Sequence, residues 1–120
     1  VNKLTPDDVK LFLFENQLDF QSTHRKVCFP ILHRIYDKLM MGYRFDPIKT
    51  EGTVIIDGHH RYICMKLLEL DIETVPWTKS FSTEITLWQN VEVVVADWET
   101  ADQIEWHNKV WQKSENDLSL

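Results

Sequence analysis

The chain has 120 residues, 43% of them hydrophobic and 27% charged, which is enough apolar side chain for one core and one domain. With three glycines, four prolines and no low-complexity stretch it is not a disordered chain, and its longest apolar run, around Val93–Ala96, is far too short to cross a membrane. A net charge of −6, from 19 acidic against 13 basic residues, argues against a protein that coats nucleic acid by neutralising phosphates. It better suits a small-molecule enzyme or a protein with a basic partner.

The first residue is Val1 rather than Met, so a processed product or a domain excised from a longer protein is expected, with residues 1–120 forming one unit. Thr5-Pro6-Asp7-Asp8 predicts a helix start, with Thr5 as N-cap, Pro6 in the first turn and Asp8 in the capping-box position. Val9, Leu11, Leu13 and Phe14 carry that helix to about Asn16, and Gln17–Lys26 is a polar loop. Val27, Ile31, Leu32, Ile35, Leu39 and Met40 recur at helical spacing, with Pro30 in the first turn and Gly42 as the stop.

Asp46–Thr50, the turn Glu51-Gly52 and Thr53–Asp57 predict strand, tight turn, strand. At Gly58 the pattern changes to a helix over His59–Leu70, and Ile72–Trp77 returns as a strand ended by Pro76. Glu84–Trp88 fits either strand or helix, Val91–Trp98 is a strand, and Glu99–Lys113 is a helix followed by a frayed tail from Ser114. Together these elements predict an α/β (α+β) fold: a small mixed sheet flanked by helices, with a C-terminal strand and a Trp-rich helix. The five tryptophans, at 77, 88, 98, 106 and 111, are expected mostly as core or interface anchors. Cys28 and Cys64 sit in apolar stretches and are expected as buried free thiols.

Chemistry concentrates at Asp57-Gly58-His59-His60-Arg61, a strand end turning into a helix. A helix N-terminus offers unpaired amides and partial positive charge to an anion. Gly58 permits the sharp turn, and Arg61 can grip a phosphate in a bidentate way that Lys cannot. Cationic residues in a first helical turn oppose the helix dipole, a local cost that a bound anion would reverse. Asp57 stands where open α/β sheets place ligands, as a Mg²⁺ ligand or a general base. Asp57, His59, His60 and His24 match no standard zinc spacing, because adjacent histidines point to different sides of a helix.

Asp46-Pro47-Ile48, then Thr53–Tyr62, then Ile72–Pro76 resemble the ParB/sulfiredoxin superfamily. That pattern has a strand carrying Pro-Ile, a strand ending in a Gly-x-x-Arg loop, a helix, and a strand ending near Val-Pro. The resemblance covers about residues 26–77, and the Asp-Gly-His-His-Arg form is most similar to the free-serine kinase branch. It implies ATP or another nucleoside triphosphate with Mg²⁺, phosphoryl transfer to a small hydroxyl substrate, and a cytoplasmic site of action. In that scheme Asp57, His59 and His60 are catalytic and Asp57 holds the metal. Gly58, His60, Arg61, Lys26 and Thr23 hold phosphate, with His24 and Arg25 beside them.

The departures narrow the choice. His59 stands where sulfiredoxin has its reactive Cys, which excludes sulfinic-acid repair, and the Glu-Arg-Arg loop and helix-turn-helix domain of partition proteins are absent. A serine kinase also needs a base for its acceptor, for which Glu15 is a weak candidate. Two alternatives remain open. One is a ParB-like nuclease acting as the C-terminal toxin module of a secreted polymorphic toxin, delivered from outside and partnered by an immunity protein. The other is a nucleotide sensor without turnover.

Overall fold

A computed structural model describes residues 3–78 and 84–118, with residues 111–118 described by backbone alone. Helix α1 (Pro6–Glu15) starts on a closed capping box: the Asp8 amide donates to Thr5 Oγ1 at 3.2 Å and the Thr5 amide to Asp8 Oδ2 at 2.9 Å. Two donors that a helix start leaves unpaired are thereby satisfied, with Asp in the place usually held by Glu. The buried face of α1, Val9 and Leu13, packs on the 3₁₀ turn Trp88–Asn90.

Strand β1 (Lys26–Cys28) precedes helix α2 (Phe29–Met40), so Val27 belongs to a strand and not to the helix expected there. Pro30 explains the boundary. Its ring suits the first helical turn and its missing amide costs nothing there, while Cys28 stays extended at φ −97° and ψ 115°. Leu32 and Ile35 then face the core, and Gly42 at φ +92° follows the helix end.

Strands β2 (Ile48–Glu51) and β3 (Val54–Asp57) form the expected hairpin, with Gly52 at φ +59° in its turn. Helix α3 (His59–Leu67) follows β3 and packs on α2, and β4 (Thr74–Pro76) returns beside β2. The sheet order is β3-β2-β4, antiparallel across β2–β3 and parallel across β2–β4. Helix α3 stops short of Leu70 because Glu69 turns to φ +55° and the Leu70 amide closes back on Met65 O at 2.9 Å.

The polar segment after α1 is more ordered than a loop. The Gln21 amide donates to Thr53 O at 2.7 Å and the Ile55 amide to Gln21 O at 2.9 Å, so Gln21 covers the free edge of β3. Ser22 bridges to Thr86, which resolves Glu84–Trp88 as extended chain leading into the 3₁₀ turn. Strand β5 (Glu92–Val94) is shorter than expected, because its parallel partner β1 offers only three residues. Helix α4 (Ala101–Leu118) starts on a Thr100–Gln103 capping pair, and its backbone continues through the expected tail.

The α+β class is therefore as expected, with the strands divided between two small sheets. Val9, Leu32, Ile48, Ile55, Tyr62 and Ile63 are fully buried at its centre, and Cys28 and Cys64 are buried free thiols. The tryptophans differ from expectation. Only Trp88 of the four with described side chains is buried; Trp77, Trp98 and Trp106 are 52, 47 and 61% exposed. Aliphatic residues and Tyr62 already fill the core, and the side chain of Trp111 lies outside the described residues. Among the described residues no helix is long and apolar enough to cross a membrane.

One clip ties α2 to the loop before α4. Arg34 Nη1 and Nη2 donate to the two oxygens of Asp97, each at 2.8 Å, and Nη2 also donates to Glu99 Oε1 at 2.6 Å. This bidentate fork holds the Asp97 carboxyl down to about 2, helped by the Glu99 amide. A lowered carboxylate pKa stabilises the fold above the ordinary value of 3.8, and that contribution is lost as pH falls through about 2. Arg34→Met should melt at lower temperature than the parent at pH 7. The difference should shrink between pH 4 and pH 2 in thermal melts.

Candidate functional site

The start of α3 is built from Gly58. Its φ of +105° is a left-handed conformation that only glycine adopts without strain. A Cβ placed there would lie 2.8 Å from Arg61 Nη2 and 2.9 Å from Ile48 Cδ1. The guanidinium thus folds over the bare Cα. Arg61 Nη1 donates to Asp46 O at 2.9 Å and Nη2 reaches Asp57 Oδ2 at 3.5 Å, which fixes the fork at the mouth of the helix and leaves further donors on it.

No side chain caps α3, so its first-turn amides stand among residues that line a cleft of about 320 Å³. His24, Arg44, Asp57, Gly58, Arg61 and His107 contribute to that lining, with His59 and His60 behind them. Gly58 and the helix start therefore sit together with Arg61 and Asp57, as the motif implies.

The two histidines behave differently from the cationic pair expected of a first turn. His59 Nε2 accepts the Thr23 amide at 2.9 Å, and His60 Nε2 accepts the Cys28 amide at 2.9 Å. A ring nitrogen that accepts an amide N–H carries no proton, so both rings are neutral with the proton on Nδ1. Burial lowers both pKa values, His59 to about 3 and His60 to about 4, and neighbouring charge on His24 adds to the effect. They do not load the helix start with positive charge. They pin the segment before α2 onto α3.

Thr23 serves that pinning: its amide is bonded to His59, and its hydroxyl donates to Ile55 O at 2.8 Å. Lys26 opens β1, and its ammonium lies 3.7 Å from Glu92, not among the cleft residues. Arg25 is likewise paired outside the cleft, with Glu84 at 2.9 Å. Glu15 ends α1 on a different groove.

Three residues join the site from a distance. The exposed His24 ring stacks on His59 at 3.7 Å between centroids and 13° between planes, anchored by mutual Ser22–His24 hydrogen bonds. Burial against that neighbour lowers the His24 pKa, and the Asp57 carboxylate opposes the shift. Arg44 arrives from the α2–β2 connection. His107 arrives from α4, where it pairs with Glu99 at 2.9 Å. His24 was legible in sequence as a neighbour of Lys26 and as a member of the histidine set weighed against zinc; Arg44 and His107 carried no local signal.

Among the described residues one buried side-chain polar atom is left over. His59 is 1% exposed, and its Nδ1 is a buried nitrogen without a hydrogen-bond partner. An orphaned buried donor costs about 1–3 kcal/mol, which an acceptor brought by a ligand or water would offset. Among the described residues no group of three His, Cys, Asp or Glu side chains is arranged to hold a metal ion.

Two outcomes follow from this geometry. The neutral rings of buried His59 and half-buried His60, with pKa values near 3 and 4, stabilise the fold fully above pH 6.5, because below it the unfolded chain takes up protons that the native state refuses. Stability should fall by up to about 1.4 kcal/mol per pH unit for each ring as pH drops from 6.5 toward 4. Replacing both with Asn should flatten that slope in denaturant titrations. Gly58→Ala should cost about 1–3 kcal/mol through its positive φ and push Arg61 off its seat, read by the same titration.

No protein-family model matches the chain, and no curated protein or solved structure is found to be similar to it, so the resemblance to the ParB/sulfiredoxin superfamily stands on its residues alone.

Proposed function

We propose that the cleft at the start of α3 binds the phosphate groups of a nucleotide, ATP or another nucleoside triphosphate, and transfers or hydrolyses a phosphoryl group there. The carrying observation is the uncapped N-terminus of α3 at Gly58, with the Arg61 fork folded over it in a cleft whose lining includes His59, a residue with an unpartnered buried Nδ1. Backbone amides, a rigid guanidinium and a helix N-terminus form an anion seat that needs no reorganisation when charge develops on a transferring phosphoryl group. Arg44 adds a second cation on the rim.

His24 is the general acid–base group in this scheme. It is exposed and neutral at pH 7, and it is oriented by its stack on His59. His59 and His60 act as positioning residues whose Nε2 atoms are committed to the fold. Asp57 and Asp46 are the carboxylates of the cleft, which suits Mg²⁺ arriving on the nucleotide and held mainly by its phosphates. Such an ion would neutralise charge on the transferred group. Asp57 also orients Arg61, and the proton handling stays with His24.

A second reading uses the same seat for the phosphodiester of a nucleic acid, as a nuclease or toxin module held in check by an immunity protein. The observation favouring it is that two histidines, His24 and His107, line one cleft with two arginines, a set suited to acid–base cleavage. The net charge of −6 counts against it.

ATP with Mg²⁺ should raise the melting temperature of the protein and be consumed, with free amino acids such as L-serine tested as acceptors by product analysis. Arg61→Lys should weaken nucleotide binding about tenfold or more through loss of the bidentate fork. His24→Ala should leave binding nearly intact and lower turnover by about 10²–10⁴. Degradation of RNA or plasmid that vanishes in His24→Ala would favour the nuclease, stabilisation by nucleotide without turnover would mark a sensor, and no binding of any phosphate compound would overturn the proposal.

A further inference from the structure

Lys49, Asp57 and Trp77 meet on the outward face of the three-stranded sheet. The bulge between Lys49 and Thr50 sets Lys49 opposite Asp57, and the parallel pairing of β2 with β4 sets it opposite Val75, two residues before Trp77. Ile48 and Thr50 are buried, so the intervening Lys49 faces away from the core.

Trp77 is held at its backbone, where its amide donates to Thr50 O at 2.8 Å, yet the residue is 52% exposed. Lys49 Nζ lies 4.1 Å from the ring centroid and 3.9 Å from Asp57 Oδ2. One ammonium therefore links the indole to the residue that precedes Gly58.

We infer that Trp77 is a stacking platform for the planar base of a nucleotide whose phosphates occupy the α3 cleft, the base taking the ring face opposite the one that Lys49 covers and Lys49 standing as the cation between the indole and the phosphates. This rests on the phosphate reading of the cleft and adds the class of ligand. A nucleotide is an aromatic plane joined through a sugar to a string of negative charges. The protein presents the complementary series: an indole, an ammonium, then the amides and guanidinium of Gly58–Arg61. Stacking on an exposed aromatic is tolerant of base identity because every base has a π-face.

Trp98 is the competing platform, since it lies 5.7 Å from His60 between ring centroids. It stands edge-on to that ring at 86°, and the cation beside its loop, Arg34, is already spent on the Asp97 and Glu99 carboxylates. Trp77 has a cation in the corresponding place.

The test compares ATP, CTP and inorganic tripolyphosphate by calorimetric titration of the full chain, its Trp77→Ala variant and its Trp77→Phe variant. At least one nucleotide should bind the parent about tenfold more tightly than tripolyphosphate. Trp77→Ala should abolish that advantage while leaving tripolyphosphate affinity unchanged, and Trp77→Phe should keep most of it. Thermal melts confirming that both variants fold make the comparison readable. Equal binding of nucleotides and tripolyphosphate by the parent, or equal weakening of both by Trp77→Ala, would overturn the stacking role and leave the phosphate seat standing. Failure of the parent to bind tripolyphosphate or either nucleotide would overturn both.

Discussion

Two amide-to-imidazole hydrogen bonds hold the working half of this molecule together. Thr23 donates to His59 and Cys28 to His60, across sequence separations of 36 and 32 residues, and each ring accepts through Nε2. They bind the chain entering α2 to the first turn of α3. The cleft exists because these two segments are kept side by side: one supplies His24 and the other supplies Gly58 and Arg61. Neutral rings are what the arrangement requires, since an imidazolium has no lone pair with which to accept an amide proton.

That requirement accounts for the division of labour around the motif. Adjacent histidines on a helix point in different directions, so each reaches a different part of the preceding segment. Once their Nε2 atoms are committed, the positive charge around the cleft rests on Arg61, Arg44 and the α3 dipole, and the exposed imidazole of the site is that of His24. The stack of His24 on His59 passes the rigidity of the buried ring to the exposed one. The Arg34–Asp97–Glu99–His107 chain does similar work on the other wall, tying the start of α4 to α2. In this arrangement His59 Nδ1 is left as a buried nitrogen without a partner.

Much of this was legible in the chain itself, because the signals are local. The Thr5–Asp8 capping box, the apolar face of α2, the hairpin around Gly52 and the turn at Gly58 all depend on residues within a few positions of one another. The same locality explains the misplaced boundaries. Val27 carries a helical spacing, but a strand partner 66 residues away in sequence claims it, and β5 ends where that short partner ends.

The sequence alone determined that the strand would turn at Gly58 into a helix carrying Arg61 in its first turn, because glycine tolerates the φ that such a turn needs. That no side chain caps this helix start was decided by the tertiary structure. Only the tertiary structure decided the charge state of the two histidines and the identity of their neighbours. Protonation follows burial and the direction of a hydrogen bond, and both are set by the residues that fold brings near, here Thr23, Cys28 and His24. No spacing within the motif carries that information.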